Sequence, residues 1–67
     1  MKINNSYIDR FTKSRNGYYY PVSKGIYLSF DKEGYYIGIE MFYIPKYNVD
    51  KYSDKTLKKL ISLGYIE

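Results

Sequence analysis

The chain has 67 residues and a net charge of +4; it contains eleven tyrosines but no cysteine, histidine or tryptophan. So short a chain has room for one domain, residues 1–67, whose core supplies only about 3–5 kcal/mol of stability. Without histidine and cysteine it lacks the commonest zinc ligands, proton-transfer groups and nucleophiles, so we expect no metal, no cofactor and no enzymatic activity.

The first predicted element is a β-hairpin around Asn16-Gly17, a dipeptide that is typical of tight turns between strands. We expect its two strands at residues 7–13 and 18–22. A short helix within residues 3–11 is the alternative for the first of these segments. The sequence leaves the two interpretations open.

The register of this hairpin is also left open. Phe11 faces Tyr20 in one pairing, whereas the polar residues fit either pairing. Pro21 should lie at a sheet edge or a strand end, because it has no backbone N–H for a central ladder. Residues 23–25, Ser-Lys-Gly, are then expected to turn the chain into the next strand.

A second hairpin is the clearest prediction, because apolar residues alternate over 26–30 and a β-rich run resumes over 35–43. We treat residues 31–34 as a four-residue loop between the strands. The predicted register places all the aliphatic residues on one face, and its facing pairs are Phe30 with Tyr35, Leu28 with Ile37, and Ile26 with Ile39.

The loop of this hairpin contains residues that are typical of tight turns. Asp31 is placed to accept hydrogen bonds from turn amides, and Gly34 stands where such loops commonly need a positive φ. On the opposite face of the second strand the alternation is only half polar, so this face is expected to be partly covered. Its residues are Tyr36, Gly38, Glu40 and Phe42.

Residues 25–40 carry a recognisable spacing: Gly25-Ile26, then Asp31, then Gly34, then Gly-Ile-Glu at 38–40. This segment resembles the signature hairpin of a widespread family of small bacterial proteins of unknown function. The resemblance supports a hairpin in this segment. It implies no activity, since the family has no settled one.

The last predicted element is a helix over residues 54–63. Pro45 is expected to close the preceding strand, and residues 46–52 to form an extended connection. Ser53 and Asp54 resemble a helix start, since Asp54 suits the positive end of a helix dipole, and Gly64 is a natural residue just beyond a helix end. By helical spacing, the inward residues are Leu57, Leu60 and Ile61, and the outward residues are Lys55, Lys58, Lys59 and Ser62.

Together these elements predict an α+β fold: a small antiparallel sheet of three or four strands, a β-meander, with one C-terminal α-helix packed on a face. The first residues contain no apolar run like that of a signal peptide, and the chain has no stretch of 18 apolar residues. We therefore expect a cytoplasmic protein with no membrane partner.

The abundance of tyrosine favours a binding surface, because its ring offers wide, stiff contact area with a polar tip. Strand alternation cannot hide all the sheet tyrosines in one core. We therefore predict a small non-enzymatic protein-binding module, an inhibitor or adaptor of the phage or mobile-element type. Its candidate partner-binding residues are Tyr18, Tyr19, Tyr20, Tyr27 and Tyr36.

The alternative is a basic nucleic-acid-binding domain built from the sheet and the C-terminal helix. Its candidate contact residues are Lys55, Lys58, Lys59, Arg10 and Arg15, which Lys46 and Lys51 extend. Only two of the eleven basic residues are arginine, the residue that most often reads bases, so protein binding is favoured.

The carboxylates Asp31 and Glu33 fall together on a turn tip, where water solvates them, and Glu40 stands alone; neither arrangement offers an acid–base pair in a cleft. A short chain with an aromatic sheet face and no disulfide also favours a homodimer, formed by pairing of an edge strand.

Overall fold

The computed structural model of the protein describes residues 1–42 and 49–67. The elements are a 3₁₀ helix Asn5–Arg10, the strands β1 Thr12–Ser14, β2 Gly17–Ser23, β3 Ile26–Phe30 and β4 Tyr36–Met41, and the helix α1 Val49–Ser62. The strands form one antiparallel sheet in the order β1-β2-β3-β4, with α1 packed against it. The predicted α+β fold is confirmed.

The first hairpin is present, with a shorter first strand than predicted. Ser14 pairs with Gly17, so the turn consists of the two residues between them. Of the two interpretations left open for the first segment, the short helix within 3–11 is confirmed, because Asn5–Arg10 forms a 3₁₀ helix and the strand predicted over 7–13 is present only from Thr12. The side chain of Asn4 accepts a hydrogen bond from the backbone N–H of Ser6 (3.1 Å), which caps the first turn of this helix.

The register of this hairpin is the one in which Phe11 faces Tyr20. Thr12 pairs with Tyr19, and the Phe11 and Tyr20 rings lie 5.5 Å apart between centroids. Pro21 is exposed and lies beyond the end of β1, where β2 has a neighbouring strand on one side only within the described residues. The expectation of an edge position for Pro21 is therefore confirmed.

The register predicted for the second hairpin is wrong. Leu28 pairs with Ile39, and Phe30 pairs with Tyr36. Between those pairs β4 holds one extra residue, a β-bulge at Ile37 that bends the strand and turns side chains to new faces. As a result Ile37 is 63% exposed, and Tyr36 packs against the core.

The loop of the second hairpin is organised by Asp31, as predicted. Its side chain accepts hydrogen bonds from the backbone N–H groups of Glu33 (3.0 Å) and Tyr35 (2.8 Å). Gly34 donates its N–H to the Asp31 carbonyl (3.0 Å) and has the expected positive φ of 96°. The loop chemistry was therefore predicted correctly although the register was not.

Helix α1 begins at Val49, five residues before the predicted start, so 49–52 are helical rather than extended. Ser53, which resembled a helix start, is buried one turn inside and donates its hydroxyl to the Val49 carbonyl (2.9 Å). The remainder of the predicted connection, with Pro45 and the predicted strand end, falls on residues 43–48 and lies outside the described residues.

The C-terminal end of α1 was predicted correctly. Tyr65 donates its N–H to the Leu60 carbonyl (2.9 Å), and Gly64 donates to the Ile61 carbonyl (3.0 Å). This pair of bonds is the Schellman motif, in which glycine is the usual residue at the Gly64 position. Leu57 and Leu60 contact the core as expected, but Ile61 is 49% exposed, so its predicted inward position is wrong.

The core lies between the sheet and α1 and is closed by the two end segments of the described chain. Its buried cluster consists of Ile3, Phe11, Leu28, Phe30, Leu60 and Ile66. Ile3 and Ile66 form an antiparallel bridge, and Lys2 and Glu67 exchange two backbone hydrogen bonds of 3.2 and 2.8 Å. In the described ranges, no helix has the length and apolarity needed to cross a bilayer.

Candidate functional site

Two of the five candidate tyrosines lie on the sheet face opposite α1, which we call the outer face. Tyr19 and Tyr27 follow residues whose side chains pack in the core, so strand alternation directs them to the other side. Their rings meet edge to face, 6.2 Å apart between centroids. Tyr27 makes a second such contact, at 5.7 Å, with Phe42. We call Tyr19, Tyr27 and Phe42 the outer aromatic cluster.

The outer aromatic cluster borders an open groove of about 220 Å³, whose fourth lining residue is Thr12. Phe42 is 73% exposed, the highest value among the large apolar side chains of the described residues. On the same face Gly38 has no side chain, and no described atom lies within 4 Å of where its Cβ would be. The exposed ring of Phe42 leaves the groove accessible from solvent.

The walls of the groove are chemically simple. Among the described residues, three aromatic rings and a threonine line it, so this part of its wall offers apolar contact area and the side-chain hydroxyl groups of Tyr19, Tyr27 and Thr12. Glu40 is exposed and stands directly opposite Tyr27 in the β3–β4 register. This arrangement suits an apolar side chain, with a negative charge close to the groove.

The other three candidate tyrosines lie on the face that α1 covers. Tyr18, Tyr20 and Tyr36 are half-buried and pack against the core cluster. The Tyr20 ring contacts that of Phe11, and the Tyr36 ring lies 5.5 Å from that of Phe30 in an edge contact. The structure thus divides the five candidates between the two faces of the sheet.

The pKa of the Tyr36 hydroxyl is raised, for two reasons. Burial raises its pKa above the ordinary value of 10.0, and the negative charge of Asp54 on α1 raises the pKa further. The hydroxyl is therefore protonated at neutral pH. Its position between the sheet and α1 makes Tyr36 a packing residue.

The basic residues do not form one continuous group. Lys55, Lys58 and Lys59 are exposed and follow one another at helical spacing along α1. The guanidinium of Arg10 lies 5.9 Å from the centroid of the Tyr65 ring, just beyond the end of α1. Arg15 is exposed in the turn between β1 and β2. Lys51 is exposed at the first turn of α1, whereas Lys46 lies outside the described residues.

The carboxylate of Asp31 is used within its own loop. The side chain of Asp31 is engaged by two backbone N–H groups of its own loop. Over residues 1–42 and 49–67, no three carboxylate, imidazole or thiol side chains come close enough together to hold a metal ion.

Sequence reasoning missed the contribution of Phe42 and Thr12 to the groove. The signal for Phe42 was present, because alternation placed it with Glu40 on the half-polar face of the second strand, which was expected to be partly covered. Nothing in the residue type of Thr12 distinguishes it from any other exposed strand threonine. Its place in the groove follows from its pairing with Tyr19, which depends on the hairpin register.

Comparison with known proteins adds no relative to this description. No family model, no curated protein and no solved structure matches the chain. The geometry of the described residues is therefore the basis for the functional argument.

Proposed function

We propose that the protein is a small non-enzymatic protein-binding module that docks its partner on the outer aromatic cluster. The observation that carries this proposal is the groove between Tyr19, Tyr27 and Phe42, on the sheet face that α1 leaves uncovered. As part of the same proposal, its role in the cell is that of an inhibitor or adaptor of the kind that phages and mobile elements encode.

The energetics of the rings support this proposal. Aromatic residues are enriched among the few side chains that dominate protein–protein binding, and they lose little rotamer entropy when they are covered. The edge contacts among the three rings hold them in place before a partner arrives. An exposed phenylalanine beside two half-buried tyrosines leaves apolar area exposed that a partner would remove from water.

The groove also indicates the chemistry of the partner. Its apolar walls fit one aliphatic or aromatic anchor residue of a protein, and the tyrosine hydroxyl groups offer hydrogen bonds to the partner's backbone. Glu40 beside Tyr27 favours a partner with a basic residue next to that anchor. The target is therefore a protein surface with an apolar residue flanked by lysine or arginine.

The test is capture of proteins from host lysate by the wild-type chain and by variants, each with and without nuclease, followed by calorimetry with the captured protein. Tyr27→Ala removes the central ring of the cluster and should weaken binding by about 2 kcal/mol or more. The fold should persist, because Tyr27 contributes nothing to the core cluster.

The matched control is Tyr52→Ala, which removes an exposed tyrosine from α1, on the other side of the sheet. A partner that binds the outer face loses affinity for Tyr27→Ala and keeps its affinity for Tyr52→Ala. Equal affinities for the two variants would contradict the proposal.

The alternative is a nucleic-acid partner, which is supported by the exposure of Lys55, Lys58 and Lys59 on α1. It leads to a different expected result. Reversing these three charges to glutamate should then abolish binding, and affinity should fall steeply as salt is added. Nuclease-sensitive capture together with unchanged behaviour of Tyr27→Ala would replace the protein-docking proposal by this alternative.

A further inference from the structure

β4 forms one edge of the sheet and presents apolar side chains to solvent. The strand order ends at β4, and among residues 1–42 and 49–67 no strand lies beside it from Ile37 to Met41. Ile37 and Met41 are 63% and 51% exposed. A long apolar edge of this kind is the usual template for pairing with another strand.

The backbone of β4 shows which residues could pair there. Phe42 donates its N–H to the Gly25 carbonyl (2.9 Å), so its backbone groups point toward β3. In an antiparallel ladder the direction alternates, so the N–H and C=O groups of Ile39 and Met41 point away from β3. Tyr36 donates its N–H outward to the Met1 carbonyl (2.8 Å), so the N-terminal segment occupies the start of this edge.

The sequence of β4 is complementary to itself in one antiparallel register. With Ile39 opposite Ile39 of a second copy, the two isoleucine side chains meet each other, and Gly38 lies opposite Glu40 of that copy. The one charge of the strand then faces a residue without a side chain.

The neighbouring registers are less favourable. Because the outward-pointing residues must pair with one another, the register can change only in steps of two residues. One step places Glu40 directly opposite Glu40 of the second copy, which sets like charges against each other. A step the other way reaches Tyr36, whose N–H already bonds to Met1.

We propose that two copies of this chain associate by antiparallel pairing of β4 with β4, centred on Ile39, to form one continuous sheet with four strands from each copy. The edge is separate from the groove, so this assembly does not rest on the proposed docking function. It also leaves the outer aromatic cluster of both copies uncovered.

The first test measures mass and amide exchange on the wild-type chain. Sedimentation equilibrium should show a concentration-dependent rise from the 8.0 kDa of one chain toward twice that mass. Hydrogen exchange by NMR should show slow exchange at Ile39 and Met41 that speeds up on dilution. A single 8.0 kDa species at millimolar concentration, or a dimer in which these two amides exchange fast, would overturn the proposal.

The second test is a pair of variants that place opposite charges at Gly38 and so test the register. Gly38→Glu sets a glutamate opposite Glu40 of the second copy at two symmetric positions and should weaken the dimer about tenfold or more. Gly38→Lys instead sets opposite charges against each other there and should preserve association.

Both variants add a side chain at a position where a Cβ meets no described atom within 4 Å, so circular dichroism should show the wild-type fold in each. Equal association of the two variants would show that residues 38 and 40 do not face each other. In that case the proposed register is wrong.

Discussion

Single residues in this small sheet carry constraints that their type alone does not reveal, and Gly17 is the clearest example. Its φ of 146° is one that residues with side chains rarely adopt. A Cβ there would overlap the carbonyl oxygen of Phe30 and lie 2.9 Å from the carbonyl carbon of Asp31. The Asn-Gly dipeptide identified the turn, but glycine is needed because β3 approaches so closely, which a local motif cannot show.

Gly17→Ala should therefore destabilise the protein by about 3 kcal/mol or more, comparable to the whole stability expected for a chain of this size. Urea unfolding followed by circular dichroism measures the change. The control is Gly38→Ala, where a Cβ meets nothing within 4 Å and the backbone φ is unstrained. A well-folded Gly17→Ala variant, as stable as Gly38→Ala, would contradict this account.

At the scale of elements, the bulge in β4 explains what the sequence could and could not predict. The periodicity correctly placed Ile26, Leu28 and Phe30 on the buried face, because burial of alternate residues is a local pattern. The pairing partners were wrong for two reasons. The loop is one residue longer than predicted, so Phe30 pairs with Tyr36 rather than Tyr35, and the extra residue in β4 shifts the later pairs by one more.

The same shift explains the outcome for the site. Tyr19 and Tyr27 were found on one face because β2 and β3 alternate regularly at those positions. Tyr36 was grouped with them only because the bulge was not foreseen.

The start of α1 was missed for a different reason. A serine and an aspartate suit the first turn of a helix, but they are equally accommodated one turn inside it.

The bulge leads to a prediction about two residues that the sequence had paired. Leu28→Ala should cost about 2–5 kcal/mol, since Leu28 is fully buried in the core cluster. Ile37→Ala should change the free energy of unfolding by less than about 0.5 kcal/mol, because its side chain is mostly in water. Chemical denaturation measures the free energy of unfolding of each variant. Similarly large losses of stability in both would mean that β4 lacks the bulge.

For the whole molecule, closure of the core depends on residues that are far apart in sequence. Ile3 and Ile66 bridge antiparallel, and both belong to the buried cluster with Leu60. The side chain of Asn4 strengthens this junction by donating to the Gly64 carbonyl (3.1 Å). The short tail after α1, unremarkable as sequence, is thus part of the core.

Ile66→Ala should therefore destabilise the protein by about 2–4 kcal/mol, by loss of buried apolar area and by the cavity that remains. Ile61→Ala is the matched control, because the same change at an exposed helix position should be almost neutral. Thermal unfolding should show a melting point for the Ile66 variant well below that of the control. Equal melting points would show that Ile66 does not contribute to the core.

The junction of residues 3 and 66 also bears on how the chain folds during synthesis. The hairpins can form as soon as their strands emerge from the ribosome, but two members of the buried cluster, Leu60 and Ile66, are synthesised after all four strands. Until then Phe30 and Leu28 have no helix to cover them, so the nascent chain exposes its most apolar face. The protein must therefore complete its fold after residue 66 is free of the ribosome, and a chaperone that shields apolar strands has its opportunity before that moment.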